Sequence, residues 1–408
     1  MQRLGGTRLE DLVALDRGYR GPRVDCGGGH LARFVGYRDK NLDTVLGPVT
    51  LRRAWYHCRD CGTGLAPRDR ELGVAGASLS AGLARMVARV GAHEPFAQAR
   101  RDLAELAGIG LTAKRVERSA EASGPRIRAA ADQEAGALLA GTLVPAASAE
   151  PVETLYVAID GTGVPTVPRE TEGRRGKDPD GRARTREVKV GCLFSQSRLD
   201  ERGRPVRDPG SSSYLAVVES AERFGELLYA EAVRRGVDRA ARVVVIGDGA
   251  RWIWGLAAEH FPDAVEIVDL YHAREHLYDL ARLAIPDDRA WLDARLAELD
   301  QGAIEALLEA LADLAAAGPV AKELREVTGY FANNRERMRY GRFRALGLFV
   351  GSGVVEAGCR TLVGQRLKQS GMRWTVRAAE SIISLRCAEA SGRWDEVWTW
   401  LHPQTAVA

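Results

Sequence analysis

Leu155-Tyr156-Val157-Ala158-Ile159-Asp160 and Val243-Val244-Val245-Ile246-Gly247-Asp248 are two apolar runs that each end in an aspartate. A strand that leaves a core straight into a carboxylate, twice over, predicts a divalent-cation site at one end of a mixed sheet. A third acid, Glu356, stands in Gly351-Ser352-Gly353-Val354-Val355-Glu356-Ala357-Gly358-Cys359, where glycines permit a turn that opens a helix. Three separated acids in that order suggest phosphoryl transfer on nucleic acid. Attack on a phosphodiester uses two cations about 4 Å apart, so one carboxylate must bridge them. That role falls to Asp160, with Asp248 and Glu356 each completing one ion's ligands.

Working outward, the pattern predicts strands over 155–159, 188–194 and 214–218, then a helix marked by Phe224, Leu227, Leu228, Ala232 and Val233. Strand 243–246, helix 252–259, strand 265–270 and helix 273–283 follow. Three strands in hairpin succession, then two strands each preceded by a helix, match the order of a ribonuclease-H-like sheet. A polar, basic loop over 168–186 includes Arg174-Arg175-Gly176-Lys177. Leu292, Leu296, Leu299, Ile304, Leu307, Leu308 and Leu311 predict an α-helical insertion before Glu356, and helices are expected over 377–387 and 394–401.

The N-terminal third reads differently. Residues 1–75 hold short β-type pieces and a C-x-x-C-G turn, Cys58-Arg59-Asp60-Cys61-Gly62. Two thiolates can grip one Zn²⁺, but a structural site wants four ligands. Cys26 and His30 are the candidates for the other half, with His57 in reserve. The alternative is a reduced, metal-free hairpin region. From 78 to 140 the spacing turns helical, and 96–124 reads as helix, turn at Gly108-Ile109-Gly110, helix, with Thr112 as N-cap. Arg100, Arg101, Lys114, Arg115 and Arg118 suit a helix-turn-helix laid on DNA, or else the solvated face of a helical bundle. Val144-Pro145-Ala146-Ala147-Ser148 reads as a linker.

The whole is therefore expected to be an α/β multidomain protein: 1–75, small β and zinc-ribbon-like; 76–150, helical and helix-turn-helix-like; 151–285, the first part of a ribonuclease-H-like core; 286–345, an α-helical insertion; 346–408, the C-terminal helical part of the core. Length suits that division, since 408 residues exceed one domain of roughly 100–200. A net charge of +3, from 58 basic and 55 acidic residues, leaves room for basic faces without imposing them. No apolar run is long enough for a membrane span, and Met1-Gln2-Arg3-Leu4-Gly5-Gly6 lacks a signal core, so a cytoplasmic address is expected. Six scattered cysteines do not make a disulfide framework.

Two further clusters carry chemistry. In Asp269-Leu270-Tyr271-His272-Ala273-Arg274-Glu275-His276, both histidines share a helix face. His272 is expected to bond the scissile phosphate or steady an acid; a satisfied structural histidine is the alternative. Beyond Glu356, Arg366, Lys368, Trp374 and Arg377 combine phosphate-binding cations with a ring able to stack on an unpaired base, or they mark a charged helix exit with a core tryptophan.

The strings Asp160-Gly161-Thr162-Gly163-Val164-Pro165, Gly247-Asp248-Gly249-Ala250-Arg251-Trp252-Ile253-Trp254, Val268-Asp269-Leu270-Tyr271-His272-Ala273-Arg274-Glu275-His276-Leu277 and 351–359, with Tyr56-His57-Cys58-Arg59-Asp60-Cys61-Gly62, resemble the signature blocks of ISKra-type bacterial insertion-sequence transposases. Those are DDE enzymes related in plan to Mutator-like transposases. The resemblance covers nearly the whole chain, apart from a lone Cys26 where the family's knuckle is cysteine-richer. It implies catalysis by Asp160, Asp248 and Glu356, with Asp269-x-x-His272 between the second and third acids. It further implies Mg²⁺ or Mn²⁺ as cofactor, DNA as partner (terminal inverted repeats and target), and a homo-oligomer assembled on DNA. A non-catalytic DNA-binding regulator and a structure-specific nuclease are the rival readings.

Overall fold

The computed structural model describes residues 2–145, 152–176, 181–314 and 318–401. The end of the expected linker, 146–148, and Lys177 of the basic loop lie outside these. The chain divides into two compact units, residues 1–128 with 393–408, and residues 129–392. Among the described residues, no helix is long and apolar enough to cross a membrane.

The first unit is built on an antiparallel sheet of β1 (Arg23–Asp25), β2 (Leu31–Thr44), β3 (Gly47–His57) and β4 (Gly64–Leu65), in that order. Period-2 alternation puts Ala54 and Tyr56 of the third strand on one buried face, continued by Cys58 just past its end, with Ala32 and Leu65. Its strands are longer than the short pieces expected, because β2 and β3 pair along almost their whole length. Two helices were not foreseen, α1 (Gln2–Ala14) and α2 (Pro67–Glu71). Leu9 and Val13 of the first cover Leu42, Val49 and Leu51 at the far end of the hairpin.

Helices α3 (Ala81–His93), α4 (Phe96–Ala107) and α5 (Ala113–Leu139) follow. Leu83, Val87, Ala99, Leu103 and Val116 form their shared core, with Ile109 and Leu111 from the turn. The fourth helix ends where Gly108 takes a left-handed φ of 65°, a conformation glycine reaches without strain. The Thr112 hydroxyl accepts from the Arg115 amide at 3.2 Å, capping the next helix as its sequence suggests. Helix Trp394–Leu401 belongs to this unit and not to the core, to which 346–408 had been assigned. The reason is local: Trp394, Val397 and Trp398 are buried, Arg89 lies 5.5 Å above the Trp394 ring, and the Arg126 guanidinium donates to the Leu401 carbonyl at 2.6 Å.

The second unit centres on five strands: β5 (Thr154–Pro165), β6 (Thr185–Gln196), β9 (Ser213–Val217), β10 (Arg242–Gly247) and β11 (Val265–Val268). A two-stranded outlier, β7 (Arg198–Leu199) with β8 (Pro205–Val206), sits between the second and third. The sheet runs β11-β10-β5-β6-β9; the last two pairings are antiparallel and the first two parallel. The central strand is buried from Thr154 through Ile159, as expected when both faces are covered. It does not stop at Asp160, as the apolar run alone suggested. Pairing with its antiparallel neighbour carries it on to Pro165, while pairing with its parallel neighbour ends at Ala158 opposite Ile246. Asp160 thus stands just past the point where the two parallel strands part.

Helices α6 (Ala221–Arg234), α7 (Arg251–His260) and α8 (Leu270–Ala284) alternate with the later strands. The predicted helical stretch after them forms α9 (Arg289–Gln301), α10 (Ile304–Ala312), α11 (Gly318–Asn334) and α12 (Tyr340–Ala345). Then come α13 (Gly353–Gly358), a π-turn over Cys359–Gly364, α14 (Gln365–Leu367) and α15 (Val376–Ala390). Gly358 permits close approach to the sheet, since a Cβ there would come within 2.9 Å of the Tyr214 ring. That contact presses the short helix bearing Glu356 onto the strands.

Candidate active site and metal centre

Asp160, Asp248 and Glu356 line one cleft of about 190 Å³, together with Ile159, Asp269, His272, Glu275 and Ser352. Adjacent parallel strands are about 4.8 Å apart, and the two aspartates follow the last paired residues of two such strands. Glu356 reaches them from the short helix over the sheet. Five carboxylates and one imidazole line this space, and no Lys or Arg does.

The electrostatics follow. Burial, and then the neighbouring Asp248, push the Asp160 carboxyl above its ordinary range, against the Cys359 thiol (3.1 Å) and the Gly161 amide (2.6 Å) that donate to it. Glu356 is raised as well, first by burial and then by Asp269, although the Ser352 hydroxyl donates to it at 3.1 Å. Crowded acids that raise one another's affinity for protons are the setting in which a divalent cation binds favourably. Hard carboxylate oxygens are the donor set that Mg²⁺ and Mn²⁺ take.

The residues around the acids fix them. Asp269 is 1% exposed and accepts from two amides, His272 at 2.8 Å as N-cap of its helix, and Ser352 at the head of the Glu356 helix. One buried carboxylate therefore joins the two helices that flank the cleft. Its N-cap position starts the helix three residues earlier than the spacing predicted. His272 opens on the cleft, with Nδ1 3.4 Å from a Glu275 carboxylate oxygen. His276 instead packs at 4.1 Å on the Tyr330 ring, and burial lowers its proton affinity. Tyr330, from the helical insertion, donates to the Asp248 carbonyl at 3.0 Å. Gly249 makes room for that ring: its φ is 99°, and a Cβ would meet Tyr330 at 2.6 Å. Sequence reasoning missed Glu275, Tyr330 and Cys359. Glu275 had a signal, one helical turn beyond His272; the other two had none.

In the first unit, Cys26, His30, Cys58 and Cys61 bring their ligand atoms within 4.8 Å of one another. Tetrahedral zinc, with bonds of about 2.3 Å, spaces two thiolates about 3.8 Å apart. The Cys26 and Cys61 sulfurs are 3.7 Å apart, and all six cysteines are free. Three thiolates and an imidazole suit Zn²⁺, so this cluster could hold a zinc ion. The unusual C-x₃-H half closes because Gly27 and Gly29 take φ of 86° and 78°, and the Cys26 amide donates to the His30 carbonyl at 3.0 Å. Hydrogen bonding to Thr63 pulls the Cys61 thiol down to about 6, toward the thiolate. His57 takes no part. Among the described residues this is the one group of metal-type ligands gathered so tightly. The cleft acids lie further apart, and two ions about 4 Å apart do not need them to meet.

Of the expected DNA contacts, Arg100, Arg101, Lys114 and Arg118 are exposed on the helix pair. Arg115 is half-buried and already engaged, paired with Asp43 at 2.5 Å and donating to the Ser78 carbonyl at 3.0 Å. The stretch after Glu356 divides. Lys368 and Arg377 are exposed, and the Lys368 ammonium donates to the Thr162 hydroxyl, two residues beyond Asp160. Arg366 and Trp374 do not face solvent. Trp374 is 7% exposed, its indole donates to the Leu367 carbonyl at 3.0 Å, and its backbone pairs with Pro165 and Val167. Arg366 is fully buried, 5.1 Å from that ring. Both are structural, which corrects their expected role at a DNA end.

No protein-family model matches this chain, and no curated protein sequence does.

Proposed function

We propose that the chain is a DDE-type DNA transposase, which cuts a strand at an element's terminal inverted repeats and joins the free 3′-OH to target DNA. The observation that carries this reading is that Asp160, Asp248 and Glu356 line one acid-rich cleft with no Lys or Arg in its walls. The strand order supports it: the mixed five-stranded sheet, followed by a helical stretch before the third acid, has the order expected for a ribonuclease-H-like core. Two bound Mg²⁺ or Mn²⁺ ions would activate the attacking water or 3′-OH and stabilise the leaving oxygen. The chain's own residues prepare for that. Asp160, which feels the charge of Asp248 and acts in turn on Glu356, would be the shared ligand. Asp269 holds two helices in register, and Tyr330 fixes the Asp248 backbone. His272 is placed to hydrogen-bond a phosphate oxygen. Lys368, tied to Thr162, offers a phosphate contact beside the cleft, and Arg377 offers another.

The first unit supplies DNA affinity in this reading. A zinc-bearing sheet and a helix-turn-helix-like pair with outward Arg100, Arg101, Lys114 and Arg118 supply sequence-independent attraction to phosphates. The enzyme acts in the cytoplasm as a homo-oligomer assembled on DNA. A non-catalytic regulator would have no use for five carboxylates gathered in one cleft with no Lys or Arg in its lining. The test is strand cleavage and joining on duplexes carrying the DNA that flanks the reading frame. Mg²⁺-dependent products are expected from the wild type. Products that form equally in a chelator would refute the proposal.

A further inference from the structure

The N-terminal sheet has a face that the cluster around Tyr56 and Cys58 does not use and that Leu42, Val49 and Leu51 occupy only at its far end. Because Ala54, Tyr56 and Cys58 point into the core, Trp55 and His57 project the other way. Arg33 and Val35 of the neighbouring strand do likewise. A bulge between Phe34 and Gly36 shifts the register and brings Arg38 to the same side, its guanidinium 4.8 Å from the Trp55 ring. Arg59, inside the C-x-x-C knuckle, closes the end. The result is a groove of about 540 Å³ with Arg33, Arg38, His57 and Arg59 around Trp55 and no acid in its lining.

These arginines differ from their neighbours. Arg52, Arg53 and Arg68 of the same unit are paired with acids. Arg33, Arg38 and Arg59 make no ion pair among the described residues. Three uncompensated guanidinium forks converging on one groove call for a polyanion, and planar forks match phosphate oxygens. Trp55 is already covered: Arg38 lies over its ring, and a Cβ on Gly64 would meet it at 2.4 Å. Its ring is a platform for Arg38 and has little open surface for stacking a base. That favours a phosphodiester backbone over single-stranded readout.

We propose that this groove, formed by Arg33, Arg38, His57 and Arg59 around Trp55, is a sequence-independent binding site for the backbone of duplex DNA. The choice of DNA rests on the transposase reading; the charge pattern does not. The zinc cluster has a direct part in it, since Arg59 lies between two of its ligands and a filled cluster would fix that fork in place.

The test uses the full chain loaded with zinc, titrated with a short labelled duplex of arbitrary sequence across a salt series. The variant combines Arg33→Gln, Arg38→Gln and Arg59→Gln, all on exposed side chains. Each lost phosphate contact should reduce the slope of log K against log salt by about 0.9, so the slope should fall by about 2 to 3, with binding roughly tenfold weaker or more. Arg52→Gln removes equal charge per site from an arginine already paired with Asp39, and should change the slope by less than about one. Zinc content and thermal unfolding serve as folding controls. Wild-type affinity and slope in the triple variant would overturn the site, as would tighter binding of single-stranded DNA or RNA of equal length. Metal-dependent strand cleavage is scored separately. Its absence from the wild type alongside the expected slope change would remove the transposase reading and leave the groove; intact cleavage with unchanged binding would remove the groove alone.

Discussion

Asp160 carries a charge its surroundings resist. Because burial and Asp248 raise its folded-state proton affinity, it stabilises the metal-free fold below its unfolded titration range. That contribution is lost as pH rises through the raised value. At neutral pH without divalent ions the carboxylate is therefore a cost, and Asp160→Asn should raise the melting temperature. Mg²⁺ or Mn²⁺ should stabilise the wild type and have much less effect on the variant; calorimetry with and without metal decides. The same shifts in Asp160 and Glu356 predict divalent-ion affinity that falls as pH drops, beginning above the range where unshifted carboxylates titrate, because protons compete for the same oxygens. Asp269 makes a separate prediction. Asp269→Ala removes a helix cap and leaves the Ser352 amide unpaired, at a cost of about 2–4 kcal/mol in denaturant unfolding. An unchanged stability would show that the two flanking helices are not joined through it.

Trp374 shows what a helix-and-turn segment hides. A string of Arg, Lys and Trp reads alike whether its ring faces a cut DNA end or a core, because neither cation spacing nor aromatic type encodes direction. Backbone pairing of Trp374 with Pro165 and Val167 turns the ring inward and takes Arg366 with it. Trp374→Ala should thus cost about 3–5 kcal/mol of stability by leaving a cavity; loss of strand joining with stability unchanged would restore the exposed reading. The acids were legible for the opposite reason. Val157 and Val245 lie in runs with one strand interpretation, so the carboxylates after them could be placed from the chain alone. Thr112 was legible as a cap because its chemistry is local. Tyr330 was not, since nothing near it in sequence says that an insertion helix returns to the Asp248 carbonyl. The zinc-type tetrad was half legible: Cys58 and Cys61 announce a knuckle, while the fit of Cys26 and His30 depends on two positive-φ glycines.

At the scale of the whole chain, the order of residues and the order of units differ. Helix Trp394–Leu401 follows the core in sequence and packs with residues 1–128. Deleting residues beyond Gly392 removes two buried tryptophans from that unit and should destabilise it by at least about 3 kcal/mol. Hydrogen exchange should then quicken across Ala81–His93 and leave Thr154–Pro165 protected; faster exchange in the core strand instead would contradict the division. The account as a whole rests on Asp160, Asp248 and Glu356 acting through divalent cations on a phosphodiester. The most direct measurement is a change of metal specificity in the Asp248→Cys variant, assayed for strand cleavage under reducing conditions. A thiolate is a poor ligand for Mg²⁺ and a better one for Mn²⁺. The account predicts a variant inactive in Mg²⁺ that regains cleavage in Mn²⁺; cleavage by the variant in Mg²⁺ at the wild-type rate, or no recovery in Mn²⁺ where the wild type is active, would contradict it.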